Sequence, residues 1–272
     1  MRWCQENLNR YLSESSAINV IPSRVEEAFC AELNDVTISM MDDNSFIASA
    51  LFYSFQQLIG QTIDRVTIQS IEDKLKNNKQ RHNYINFRIS GMDNGQPSRI
   101  GVAVLQQDNG MALGTGLRHL KRYQQFDLTR GCLVRSKSKP IGKAVKINHI
   151  NPLTQELGGE FVDLKFEEIQ PLIALYRIYQ KRDTDYEISE EDIRQFIENS
   201  GEKYQIGHHN PLIQEILSDP SGIAPDTPEE PEIEPSPNPQ IRPERFSGDA
   251  SDFEILPPEN TNDQELDQFF SV

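Results

Sequence analysis

Apolar and polar residues alternate most regularly between Tyr84 and Lys139, and the elements predicted there form the centre of the chain. Ile85, Phe87 and Ile89 alternate with Tyr84, Asn86, Arg88 and Ser90, the period of two of a strand with one wet face. Met92-Asp93-Asn94-Gly95 supplies a tight turn, because Asn-Gly tolerates positive φ. Arg99 to Leu105 is nearly all apolar and β-branched, the pattern of a strand covered on both faces. Leu113, Leu117, Leu120 and Tyr123 then recur at helical spacing across Met111 to Phe126, with Arg118, His119, Lys121 and Arg122 around them. Cys132-Leu133-Val134 resumes as a short buried strand.

On the N-terminal side, Trp3, Leu8, Tyr11 and Leu12 make Met1 to Ser16 weakly helical. Ser23 followed three residues later by Glu26 has the form of a capping box and opens a helix through Val25 and Phe29. Asp42-Asp43-Asn44 caps the most apolar helix, Phe46 to Ile59, which Gly60 is expected to close. Val66 to Ile71 alternates like a strand, although the basic run from Lys74 leaves a helix open as an alternative. Lys143 to Ile150 is expected to form a further edge element. Glu160 to Leu164 is strand-like, Phe166 to Gln180 is an amphipathic helix with Pro171 in its first turn, and Ser189 with Asp192 caps a helix that Gly201 is expected to end. Together these predict an α/β fold: a small mixed sheet with a β-hairpin and flanking helices, followed by a helical appendage and a disordered acidic tail. The expected segments are an N-terminal helical segment over 1–40, an α/β core with a basic face over 41–150, a helical appendage over 151–217, and a proline-rich acidic tail over 218–272.

Charge changes this picture more than composition does. The chain of 272 residues has a formal net charge of −15. Residues 1–73 carry 4 basic and 11 acidic side chains (net −7), residues 74–149 carry 15 and 3 (net +12), and residues 150–272 carry 8 and 28 (net −20). A strongly cationic block inside an acidic chain is a candidate polyanion site. Its residues are Arg118, Lys121, Arg122, Arg130, Arg135, Lys137, Lys139, Lys143 and Lys146. The alternative is that these side chains pair with the acidic segments around them. In the tail, Leu266, Phe269 and Phe270 sit among acids, as in a short segment that docks on a protein partner. The tail could equally compete for the basic block or act as a solubilising linker.

The order helix, strand, hairpin, helix, strand resembles the restriction-endonuclease-like fold, with Phe46–Gly60, Val66–Ile71, Tyr84–Ser90, Arg99–Leu105, Met111–Phe126 and Cys132–Val134 as its central elements. GCLVRSKS and GGEFVDLKFEEIQPLIALYRIYQ are also similar to the tail region of some large bacterial ATPases, where degenerate nuclease-like modules follow a nucleotide-binding domain. Active members carry an acid on the second strand and Glu-x-Lys on the third, which hold a divalent metal and orient water. Here those positions read Asn86 with Arg88 and Val102-Ala103-Val104, so the resemblance implies a degenerate module without the catalytic pattern. No phosphate-loop motif is present.

Other chemistry is weaker. His208-His209 lacks a spaced third ligand, so no metal or other cofactor is expected. Cys4, Cys30 and Cys132 are too few and scattered for a disulfide framework, and a reducing, cytoplasmic setting fits them. No signal pattern or membrane-spanning run occurs. Three functions remain in order: a non-catalytic module binding DNA or RNA, whose tail modulates binding or recruits a partner; an adaptor whose basic face docks an acidic protein; and a divalent-metal nuclease with an unrecognised site. Oligomeric state is not legible.

Overall fold

In the computed structural model of the chain, residues 23–73, 75 and 84–226 are described. Helix α1 (Arg24–Asp35) begins at Ser23, whose Oγ accepts the Glu26 N–H at 3.2 Å. The Glu26 carboxylate accepts from Lys203 Nζ and the Tyr204 hydroxyl. Helix α2 (Asn44–Gln56) is capped by Asp43, which accepts from the Phe46 N–H at 3.0 Å. It ends before Gly60, which at φ +87° sits in the turn leading to the sheet and donates to the Ile68 carbonyl.

Six strands follow in spatial order of sequence: β1 (Thr62–Ile63), β2 (Val66–Glu72), β3 (Phe87–Asp93), β4 (Gln96–Val104), β5 (Arg130–Arg135) and β6 (Glu160–Asp163). The first four form an antiparallel meander, while β4, β5 and β6 run parallel. Asn94 at φ +48° and Gly95 at φ +80° make the β3–β4 turn, as the Asn-Gly pair predicts. Parallel pairing requires crossovers. Helix α3 (Gly110–Leu120) and the short α4 (Tyr123–Phe126) supply the first. Lys143–Val145 and π-helical turns at Lys146–Ile150 and Pro152–Glu156 supply the second.

Both faces of the sheet are covered, so the fold is a three-layer α/β sandwich. Ile100, Val102, Val104, Cys132 and Val134 point into one core with α1, α2, α5 (Phe166–Lys181), α6 (Glu190–Tyr204) and α7 (Pro211–Leu217). Ala103, Leu105 and Leu133, the alternate residues, point into a second core with Leu113, Leu117, Leu120, Ile150 and Leu153. This is why Arg99 to Leu105 reads as continuously apolar.

The mixed α/β class and the helices after the sheet are as expected, with several local differences. Met111–Phe126 is two helices, broken at Lys121-Arg122, and Asp127 at φ +52° ends the second. Lys143–Ile150 is helical rather than an edge element, because β6 occupies the position beside β5. Helix α6 continues past Gly201 to Tyr204, and Pro171 lies inside α5 beyond its first turn. Within residues 151–217, β6 completes the sheet and α5 packs against α1 and α2. Ser218–Asp226 is irregular but held, with the Arg65 guanidinium on the Asp219 carboxylate and the Ser221 N–H and Oγ on the Glu160 carboxylate. The expectations for residues 1–22, for 76–83 and for the tail beyond 226, including Leu266, Phe269 and Phe270, lie outside the described residues. Among the described residues no helix is long and apolar enough to cross a membrane.

Candidate nucleic-acid interface

Helix α3 starts at Asn109, whose Oδ1 accepts from the N–H groups of Met111 and Ala112. Its apolar stripe of Leu113, Leu117 and Leu120 is buried against the sheet. Small residues allow the close fit: a Cβ at Gly116 would stand 2.7 Å from Leu105 Cδ1. With that face fixed inward, Arg118 is exposed, as is Arg122 just beyond the helix. Cations at this end also suit the partial negative charge of a helix C-terminus.

The π-helical turn lies alongside. Lys121 Nζ donates to the Asn148 carbonyl at 2.9 Å, and the His149 ring fills the space over Gly114, 3.4 Å from where a Cβ would be. Lys143 is exposed and Lys146 half-buried on the same segment. Burial, then the charges of Arg122 and Arg118, hold the His119 imidazole below the ordinary histidine pKa. Burial, then Lys121 and Arg118, does the same to His149. Burial also lowers the Lys121 pKa, against an opposing pull from Glu156. After burial, the charges acting on His119, Lys121 and His149 are those of Arg118, Lys121 and Arg122, with Glu156 opposing them at Lys121. Among the described residues, no carboxylate lies within ion-pair distance of Arg118, Arg122, Lys143 or Lys146.

The other residues of the predicted set stand elsewhere. Arg135 has 0% exposure, and its guanidinium donates to the carbonyls of Leu105 (2.7 Å), Gln107 (3.0 Å) and Pro140 (3.1 Å). Arg130, 7% exposed, donates to the carbonyls of Ser218 (2.5 Å), Leu217 (3.1 Å) and Ile216 (3.2 Å). Both arginines tie the chain to itself. Lys139 is bridged to Asp42 at 2.8 Å and Asp108 at 3.2 Å. Lys137 is exposed on the same β5 loop, and its backbone N–H donates to Asp163. The structure therefore gathers Arg118, Lys121, Arg122, Lys143 and Lys146 and separates them from Arg130, Arg135, Lys137 and Lys139.

His149 joins the surface without having stood out in the sequence, since an isolated histidine in a mixed segment carries no periodic signal. Of the nuclease-like positions, Asn86 Oδ1 accepts the Val104 N–H at 2.7 Å and bridges β3 to the end of β4. Among the described residues no group of three His, Cys, Asp or Glu is placed to hold a metal ion. His208 and His209 lie ring against ring, 3.9 Å between centroids. Cys132 is fully enclosed, and burial pushes its thiol well above the ordinary range, which suits an inert core position. No protein-family model, curated protein or solved structure matches this chain.

Proposed function

We propose that this chain is a non-catalytic nucleic-acid-binding module whose acidic C-terminal segment modulates access or recruits a protein partner. The observation that carries this reading is the cationic surface of α3 and the adjoining π-helical turn, where Arg118, Arg122, Lys143 and Lys146 have no carboxylate partners among the described residues. Elsewhere in the same block, Arg88, Arg99 and Lys139 are paired with Glu72, Asp127, Asp42 and Asp108. A surface left without carboxylate partners among the described residues is suited to an external polyanion. Residues 227–272 carry 12 acidic and 2 basic side chains, a tethered polyanion able to compete at high effective concentration. The nuclease-like resemblance belongs to the same proposal and rests on the sequence order helix, strand, hairpin, helix, strand.

Fluorescence anisotropy of labelled single- and double-stranded DNA and RNA across a salt series tests it. The full chain is compared with one ending at Asp226, because Ser218–Asp226 is held to the core. The expected result is binding that weakens steeply with salt and is tighter without the tail. Absence of binding by both forms at low salt removes the proposal and leaves the face as a dock for an acidic protein.

A further inference from the structure

An open cleft of about 860 Å³ lies where α2 and α5 meet the start of β3 and the end of β4, a size typical of small-ligand sites. Its wall is aromatic. Tyr53 and Tyr179 stack with centroids 4.3 Å apart and planes 27° from parallel, and Tyr176 lies 6.1 Å from Tyr53. Its polar lining comprises Asp73, Ser45 and Ser49 together with carboxamides, two of which are held from behind. Asn86 Oδ1 accepts the Val104 N–H at 2.7 Å, and Asn44 Oδ1 accepts the Gln106 N–H at 2.8 Å. A backbone N–H can only donate, so each oxygen is fixed on β4 and its chain extension and each Nδ2 is turned the other way. Neither Nδ2 has a partner among the described residues. Gln107 Oε1, on the same cleft, is enclosed and accepts from no described residue.

Two fixed donors and one acceptor thus stand beside stacked rings. Among the described residues the lining includes the Asp73 carboxylate and neither lysine nor arginine, which disfavours a free phosphate, and a purely apolar ligand would strand the amides. A flat, uncharged heterocycle with donors and acceptors on its edge satisfies both requirements, and this is the chemistry of a nucleobase. Tyr84 connects the cleft to the cationic surface: it lines the one and stacks on His119 of α3 in the other.

We propose that the cleft takes one unpaired nucleobase of a single strand, read by the Asn44 and Asn86 amides and the Gln107 carbonyl, while its phosphates lie on Arg118, Lys121 and Arg122. This deepens the nucleic-acid reading and rests on it. The test uses the full chain at low salt, with a short single-stranded DNA and a strand of equal length made wholly of abasic sites. Anisotropy gives the two affinities, and nuclear magnetic resonance follows the side-chain NH2 signals of Asn44 and Asn86. The base-bearing strand is expected to bind about tenfold more tightly and to shift both signals, whereas the abasic strand leaves them in place. Asn86→Asp keeps an oxygen for the Val104 N–H and replaces the donor by an acceptor, and it is expected to abolish the preference between strands. Equal, salt-sensitive binding of both strands, unmoved amide signals, or an unchanged preference in the Asn86→Asp variant overturns the base site and leaves the proposed function standing. Failure of both strands to bind overturns both.

Discussion

Tyr84 lies face to face with His119, ring centroids 5.0 Å apart and planes 16° from parallel. His119 also has Phe126 at 6.5 Å and the charges of Arg118 and Arg122 nearby, so protonating it adds a cation where cations already crowd. His149 meets Lys121 and Arg118 in the same way. Burial first, and these charges after it, hold both imidazoles below the ordinary histidine pKa.

The sign of the resulting pH dependence follows from linkage. Between the depressed folded pKa and the unfolded value near 6.5, the unfolded chain binds more protons, so stability is lost as pH falls through that window and levels off below it. A bound phosphate reverses the preference, because it stabilises the imidazolium. Lowering pH from 7.5 to 5.5 is expected to weaken the fold while tightening nucleic-acid binding, by about tenfold for each unit by which phosphate raises a histidine pKa. Urea titrations and anisotropy at the two pH values measure the two slopes. His119→Gln with His149→Gln should flatten both; an affinity that keeps its pH slope in that variant would place the titrating group elsewhere.

Removing cations that have no carboxylate partner among the described residues should separate binding from folding. Arg118, Arg122 and Lys146 make no ion pair with a described residue, so replacing all three by Ala should change stability by no more than about 0.5 kcal/mol per site. Each phosphate left without its neutralising side chain should reduce the slope of log affinity against log salt by about 0.7 for a single strand. A slope that stays unchanged would show that the strand runs elsewhere.

Arg130 should behave in the opposite way. Its guanidinium holds the carbonyls of Ile216, Leu217 and Ser218 at the end of α7, away from bulk water. Arg130→Met leaves those carbonyls without their donors and is expected to cost about 3 kcal/mol, read as a lower urea midpoint, with earlier proteolysis after Leu217. Affinity per folded molecule should be unchanged. A fall in affinity without a fall in stability would return Arg130 to the phosphate surface.

The contrast between Arg130 and Arg118 marks what the sequence could convey. Alternation from Tyr84 to Leu105, the Asn94-Gly95 turn and the caps at Ser23, Asp43 and Ser189 are local signals, and the corresponding elements formed. Whether a basic residue faces water depends on what packs over it. Arg130 and Arg135 are the two ends of β5, the fifth of the six strands, where the chain from 216 to 218 and from 105 to 107 closes over them. Those partners are about 30 and 87 residues away in sequence, beyond any periodicity. The amide cleft was hidden for the same reason: Asn44 and Asn86 acquire their roles only when α2 reaches the end of β4. The break at Lys121-Arg122 was obscured because the leucine spacing runs straight into Tyr123 and Phe126.

Glu32 offers the most severe test of the packing between α1 and α5. It is 1% exposed, with Oε1 accepting from Lys181 Nζ at 2.6 Å and from the Tyr186 hydroxyl at 2.5 Å, and with Arg177 Nε 2.7 Å from Oε2. Burial pushes its carboxyl pKa up, but the hydrogen bonds from Lys181 and Tyr186 and the charges of Arg177 and Lys181 outweigh this and hold it below the usual carboxylate value. The stability it contributes is therefore full above the unfolded pKa of about 4.5 and is lost as pH falls through the lower folded value. Glu32→Gln removes the anion and leaves Arg177 and Lys181 facing each other, which should cost about 3 kcal/mol and erase this acid dependence. Replacing Glu32, Arg177 and Lys181 together by Met should cost much less than the sum of the single changes, because no charge is then left without its partner. Urea unfolding of the single and triple variants at pH 7 measures the difference. Additive losses would mean that the three side chains act independently rather than as one charge cluster joining α1 to α5.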